Sequence, residues 1–206
     1  MTAPRVLVAG IGNVFLGDDG FGVAVVARLA RRRLPENVEI GDYGIRGFDL
    51  ASALLECDTA IIVDAIPRKD KEVGELFVLE PTLEEVGQPG AEVVNGHGMT
   101  PLEVFRLVRR FGGTIPPTYL IGCHPGTNPE QEEGSMEFSP PVAAVVDEAA
   151  DLVEVLVHEL RQRAADQGSR PAVEINDVEA AGAAGPRNIR PIGRHQSFVA
   201  TGGGLG

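Results

Sequence analysis

Tryptophan is absent and cysteine nearly so, with Cys57 and Cys123 the two thiols in 206 residues. Two thiols alone build no disulfide framework, four-thiolate zinc site or iron–sulfur cluster. They read as small core residues of a protein suited to a reducing compartment. Positive charge is also scarce: 18 Lys plus Arg stand against 30 Asp plus Glu, a net charge of −12. Such a surface repels phosphate backbones and anionic lipid, which excludes nucleic acid and membrane as partners. No run approaches the ~18 apolar residues of a membrane-spanning helix. The opening MTAPRVLVAGIG has one Arg and a seven-residue apolar run that stops at Asn13, unlike a secretory signal. A cytoplasmic, soluble protein is the expectation. What remains is a globular balance, 43% hydrophobic and 23% charged, in a length that fits one domain with a sizeable core.

Short apolar, β-branched runs recur at VLVAG (6–10), AIIVDAI (60–66), LFVL (76–79) and TYLIGC (118–123). Between them lie stretches with helical spacing at 19–33, 47–56, 101–111 and 139–163, with Pro101 suited to a first turn. Strands alternating with crossover helices build a largely parallel sheet covered on both faces. The expected fold is therefore a three-layer α/β/α doubly wound domain with a mostly parallel, mixed sheet of about five strands. The turn from Pro67 to Gly74 is too short for a crossover helix, so 76–79 is expected to run antiparallel. The domain is assigned to residues 1–165. Residues 166–206 hold 8 Gly and 3 Pro without apolar periodicity, and are expected to be a disordered tail.

In an open α/β sheet, ligands bind beyond the carboxyl ends of the parallel strands. Four stretches fall there: the loop GIGNVFLGDDGFG (10–22), Asp64 ending AIIVD, the loop around His97, and CHPGTNPE (123–130). The first opens like a dinucleotide fingerprint, yet Phe15 occupies the third glycine's position. Asp18 and Asp19 at the start of the following helix would repel a pyrophosphate and welcome a cation. One of the two is expected to cap that helix, leaving the other for the crevice, and the spacing does not say which. An unpaired carboxylate such as Asp64 at the end of an apolar strand is costly unless it meets a cation. His97 sits between Gly96 and Gly98, where its ring can project. Two carboxylates and an imidazole suit a borderline divalent ion such as nickel or zinc. Three ligands leave positions open, as in sites where another molecule completes the shell. We therefore expect no tightly held intrinsic metal.

GIGNVFLGDDGFG, the strand end IIVDAI, the HGM loop with its following helix, LIGCHP and the later FSPPV together resemble the hydrogenase maturation endopeptidases. These proteases trim the large subunit of nickel–iron hydrogenases, and the likeness covers about residues 5–160. The resemblance implies that Asp19, Asp64 and His97 are the metal-facing and catalytic residues. It also implies that the nickel is carried by the large-subunit precursor, whose C-terminal extension is cleaved. Many relatives have Asp-Gly-Gly-Thr after the second strand, where this chain reads Gly41-Asp42-Tyr43-Gly44-Ile45-Arg46-Gly47. Arg46 is thereby available for an acidic peptide or terminal carboxylate, and His124, at another strand end, is a second candidate for lining the substrate crevice. No Ser-His-Asp set in a nucleophile elbow and no H-E-x-x-H motif is present, which favours metal-assisted hydrolysis.

Two other functions compete. A nucleotide-binding oxidoreductase is suggested by Gly10, Gly12 and Asp42, but the acidic loop opposes it. A phosphoacceptor receiver-like signalling domain is suggested by the acid pair and Asp64. It would need the pair directly after the first strand and a Lys after the last, and Asp18 lies eight residues beyond Gly10.

Overall fold

The protein's structure, a computed structural model, describes residues 4–81, 100–126 and 135–166. His97 and the 167–206 tail lie outside these described residues. Five strands form one sheet in the order β2-β1-β3-β5-β4. They are β1 (Val6–Ile11), β2 (Val38–Gly44), β3 (Thr59–Ala65), β4 (Leu76–Leu79) and β5 (Thr118–Cys123). β1 runs parallel to both β2 and β3, and β3 parallel to β5. β4 pairs antiparallel with β5, as the short turn before it requires.

Every residue of β1 and β5 is buried, and all but the first of β3. Strand side chains alternate between faces, so an unbroken apolar run means both faces are covered. Val6, Val8, Ile61, Val63 and Ile121 pack on one face with Phe21, Val25 and Leu29 of α1 (Phe21–Leu29) and with Val142, Val146 and Val153 of α4 (Pro140–Asp166). Leu7, Ala9, Ile62 and Leu120 pack on the other with Leu50 and Leu54 of α2 (Gly47–Leu54) and Val104, Phe105 and Val108 of α3 (Pro101–Arg110). Each such side chain removed from water contributes ~1.5–3 kcal/mol before the entropy of ordering is charged.

Local signals explain where the helices start and stop. Thr100 and Glu103 form a reciprocal capping box ahead of Pro101, and Arg109 and Arg110 lie in the last turn of α3. α1 is shorter than the 19–33 predicted from spacing. Its first two predicted positions belong to a 3₁₀ turn, Gly17–Gly20, and it ends at Leu29. Beyond that end Pro35 opposes continuation. Arg32 instead leaves the helix line to bind Asp151 at 2.6 Å and Glu154 at 3.0 Å on α4. β2 escaped the search for apolar runs because it is a half-exposed edge strand, VEIGDYG. Asp42, placed above just after the second strand, lies within it.

The chain leaves β1 through α1 to β2 on one side, then crosses by α2 to β3 on the other. The connections therefore diverge between β1 and β3, where an open sheet forms its ligand crevice. Two glycines let the first loop sit flush over this point. A Cβ on Gly22 would stand 2.1 Å from the Val63 carbonyl oxygen, and one on Gly10 would stand 2.3 Å from that of Gly22. Among the described residues no helix is long and apolar enough to cross a membrane.

Candidate active site at the β1–β3 crevice

Asp64 is the second-last residue of β3, in register with Gly122 of β5 and one position beyond the Val63–Gly10 pair. It is 8% exposed. Burial pushes its carboxyl well above the usual carboxylate range, and the nearby Asp19 charge pushes it further. The Ala65 backbone N–H, donating to the Asp64 carboxylate, offsets only part of this.

Asp19 reaches the same place from the loop after β1. Gly12 adopts φ +120°, and a Cβ there would lie 1.8 Å from the Asp19 carbonyl oxygen, so only glycine allows the loop to close on itself. Closure aims the Asn13 N–H at Asp19 Oδ2, 2.6 Å away. Asn13 in turn accepts from the Phe15 N–H at 3.0 Å, which fixes the turn. Burial raises the Asp19 carboxyl above its ordinary value, and the Asn13 bond pulls it partly back. Two carboxylates that both resist ionisation and repel each other thus share one crevice. The combination is unfavourable for the chain alone and is relieved by a bound cation or proton.

The acid pair divides its labour differently from the expectation of one cap and one free ligand. Neither Asp18 nor Asp19 caps the 3₁₀ turn or α1 through its side chain. Asp18 is 0% exposed. Its carboxylate accepts from the Gly126 N–H at 2.8 Å, the Ser139 N–H at 2.7 Å and the Ser139 hydroxyl at 2.8 Å. Partners 108 and 121 residues away leave no mark in local spacing. Ser139 does lie in FSPPV, one of the stretches that carry the family resemblance.

Arg46 is exposed at the mouth of a groove of about 210 Å³ lined in part by Gly12, Asn13, Val14, Tyr43 and Ile45. Its guanidinium donates to the Asp42 carbonyl and sits 3.5 Å from an Asp49 carboxylate oxygen, so it is held over the groove beside Asp19's loop. His124 has a structural task. Its ring Nδ1 accepts the Arg68 backbone N–H at 2.9 Å, while its backbone N–H donates to the Glu75 carbonyl at 3.1 Å, pinning the β3–β4 connection. Cys123 is buried and Cys57 half-buried; burial pushes the thiols to about 12 and about 11 respectively, which makes both poor nucleophiles.

Among the described residues no three His, Cys, Asp or Glu side chains come close enough to hold an ion. Asp19 and Asp64 are brought together, and His97, the third expected ligand, lies outside the described residues. The dinucleotide alternative loses its main support here. Gly10, Gly12 and Gly22 serve loop closure and helix-on-strand packing, and the loop presents a carboxylate where a pyrophosphate would need free N–H groups.

Comparison with known proteins places the chain by sequence and fold. A family model described as hydrogenase maturation protease matches residues 23–159. The hydrogenase 2 maturation protease of Escherichia coli is 33% identical over 150 residues, covering 72% of this chain and 88% of that protein. The hydrogenase expression/formation protein HupD of Bradyrhizobium diazoefficiens is 32% identical over 181 residues, covering 85% and 91%. Among solved structures, the hydrogenase maturating endopeptidase HybD of E. coli superposes with a TM-score of 0.61 at 28% identity, covering 76% of this chain and 93% of that one. With its mixed five-stranded sheet and its paired carboxylates at the β1–β3 crevice, the chain belongs to the hydrogenase maturation protease family, and is a peptidase.

Proposed function

We propose that this peptidase removes the C-terminal extension of the large-subunit precursor of a nickel–iron hydrogenase, and that it recognises nickel carried by that precursor through Asp19, Asp64 and His97. The supporting observation is the charge frustration of the crevice. Asp64 is buried, its carboxyl is driven upward, and the charge that drives it after burial itself is Asp19. A divalent ion supplied by the substrate relieves both, and two carboxylate oxygens with an imidazole nitrogen suit nickel. A three-residue set leaves room for the precursor's own ligands, so the ion stays with its owner and serves as a mark of readiness.

In the cleavage step, a water oxygen adds to the scissile carbonyl carbon, the C–N bond breaks, and a proton passes to the departing amine. The substrate's nickel polarises the carbonyl or the water, and Asp19 or Asp64 orients that water. Arg46, held beside the groove, is assigned to a carboxylate of the precursor's extension. Two unpaired thiols fit a reducing compartment, and the cytoplasm is the proposed place of action.

The test mixes the purified chain with large-subunit precursor, nickel-loaded or nickel-free, and reads the C-terminal mass of the product. Only nickel-loaded precursor should shorten, and Asp19→Asn and His97→Ala should each abolish the shortening. Equal trimming of both precursor forms would remove the nickel from the proposal. Normal trimming by both variants would remove the residues.

A further inference from the structure

Asp18 and Asp19 are adjacent in sequence and face opposite tasks. Asp19 meets the crevice and the Asn13 N–H, whereas Asp18 is fully buried and takes three hydrogen bonds from Gly126 and Ser139. A fully buried carboxylate is costly unless its oxygens are well satisfied, so a single apolar packing residue would serve stability alone at lower cost. The same stretch is fastened twice more. The Gly17 N–H donates to the Ser135 carbonyl at 2.8 Å, and Leu16 and Ser135 form an isolated parallel bridge. These bonds join three segments: the loop after β1, the residues after β5, and the start of α4.

We propose that Asp18 is the positioning residue for Asp19, and that its clasp with Gly126 and Ser139 sets where the Asp19 carboxylate stands relative to Asp64. The inference rests on the proposed role of Asp19 in the processing reaction. The geometry behind it is direct. With Asp18 fixed to two remote backbone N–H groups and one hydroxyl, the next residue has no freedom to translate, and Gly12 packed under the Asp19 carbonyl closes the other side. A site group must be held to within about 0.5 Å to work at full rate. The clasp supplies that constraint from 121 residues away in the sequence, through Ser139 of the FSPPV stretch.

The Asn13 amide reports on the clasp without reference to activity, because it donates to Asp19 Oδ2. Amide hydrogen exchange followed by nuclear magnetic resonance is measured on the full chain and on Asp18→Asn, Ser139→Ala and Ser139→Thr. Core amides at Ile62 and Leu120 serve as the global reference. Asp18→Asn should speed exchange at Asn13 by about tenfold relative to those core amides, and Ser139→Ala should do so by a smaller factor. Ser139→Thr, which keeps a hydroxyl, should behave as the wild type. With nickel-loaded precursor, Asp18→Asn should lower kcat about tenfold with KM within about twofold. Equal acceleration at Asn13, Ile62 and Leu120 would make Asp18 a general stabiliser and overturn the proposal. An unchanged kcat in Asp18→Asn would also overturn it. If Asp19→Asn trims precursor normally, the processing half falls on its own, whereas the exchange at Asn13 still tells whether the clasp holds Asp19.

Discussion

Replacing Asp64 by Asn should make the chain more stable and less active at once. Asn is the same size, and its carbonyl oxygen can still accept the Ala65 N–H that the carboxylate accepts now. What it lacks is the charge, which in the native protein is buried at 8% exposure and repelled by Asp19. Relieving a strained charge of this kind typically returns about 1–2 kcal/mol. For a chain of this size each kcal/mol moves the melting temperature by about 2–4 °C, so a rise of about 2–8 °C is expected at pH 7–8. The pH dependence fixes the cause. A carboxyl raised on folding is protonated in both states below the unfolded value near 4, where the variant gains nothing. As pH rises above that value the unfolded chain ionises first, so the wild type loses stability relative to Asp64→Asn. The gap stops growing once pH passes the raised native value. Thermal unfolding by circular dichroism from pH 4 to pH 8, with chelator present, measures this gap directly. A variant no more stable than the wild type at pH 8, or a gap that widens toward acid, would refute the assignment of a frustrated, solvent-excluded carboxylate.

Gly22→Ala should cost about 1–3 kcal/mol, because its methyl group would fall 2.1 Å from the Val63 oxygen and 2.4 Å from that of Ile11. Precursor trimming should fall with it, since α1 must lift away from the crevice; chemical denaturation and the trimming assay check both, and an unaffected stability would contradict the close approach. Thiol alkylation of the native protein at pH 8 should run on the order of 10²-fold slower at Cys57 and 10³-fold slower at Cys123 than for a free thiol, because burial pushes Cys57 to about 11 and Cys123 to about 12. Modification measured by mass should accelerate as pH rises, and rapid labelling at pH 8 would show that these thiols are not buried as described.

Much of the fold could be read from the sequence because its signals are local. Both LFVL and TYLIGC form strands with the bounds that their apolar runs suggest, and the antiparallel direction of β4 follows from the length of the turn before it. Asp64 could be read for the same reason, since a charged residue ending a buried run has a cost visible in a five-residue window. The edge strand β2 was harder to see, because none of its residues is fully buried and few of them are apolar.

The division between Asp18 and Asp19 was beyond local reading altogether. Two identical side chains at adjacent positions differ only in what the chain brings to them from elsewhere. Gly126 and Ser139 take up Asp18, while Asp64 and the Asn13 N–H surround Asp19. His124 illustrates the same limit, for its place after a strand suggested the crevice and its ring nitrogen is used by Arg68. The sequence by itself determined the alternation of strands and helices and the glycine positions that allow close packing. Only the tertiary structure decided which carboxylate fastens the scaffold and which meets the crevice, because that choice rests on hydrogen bonds closed across more than a hundred residues of chain.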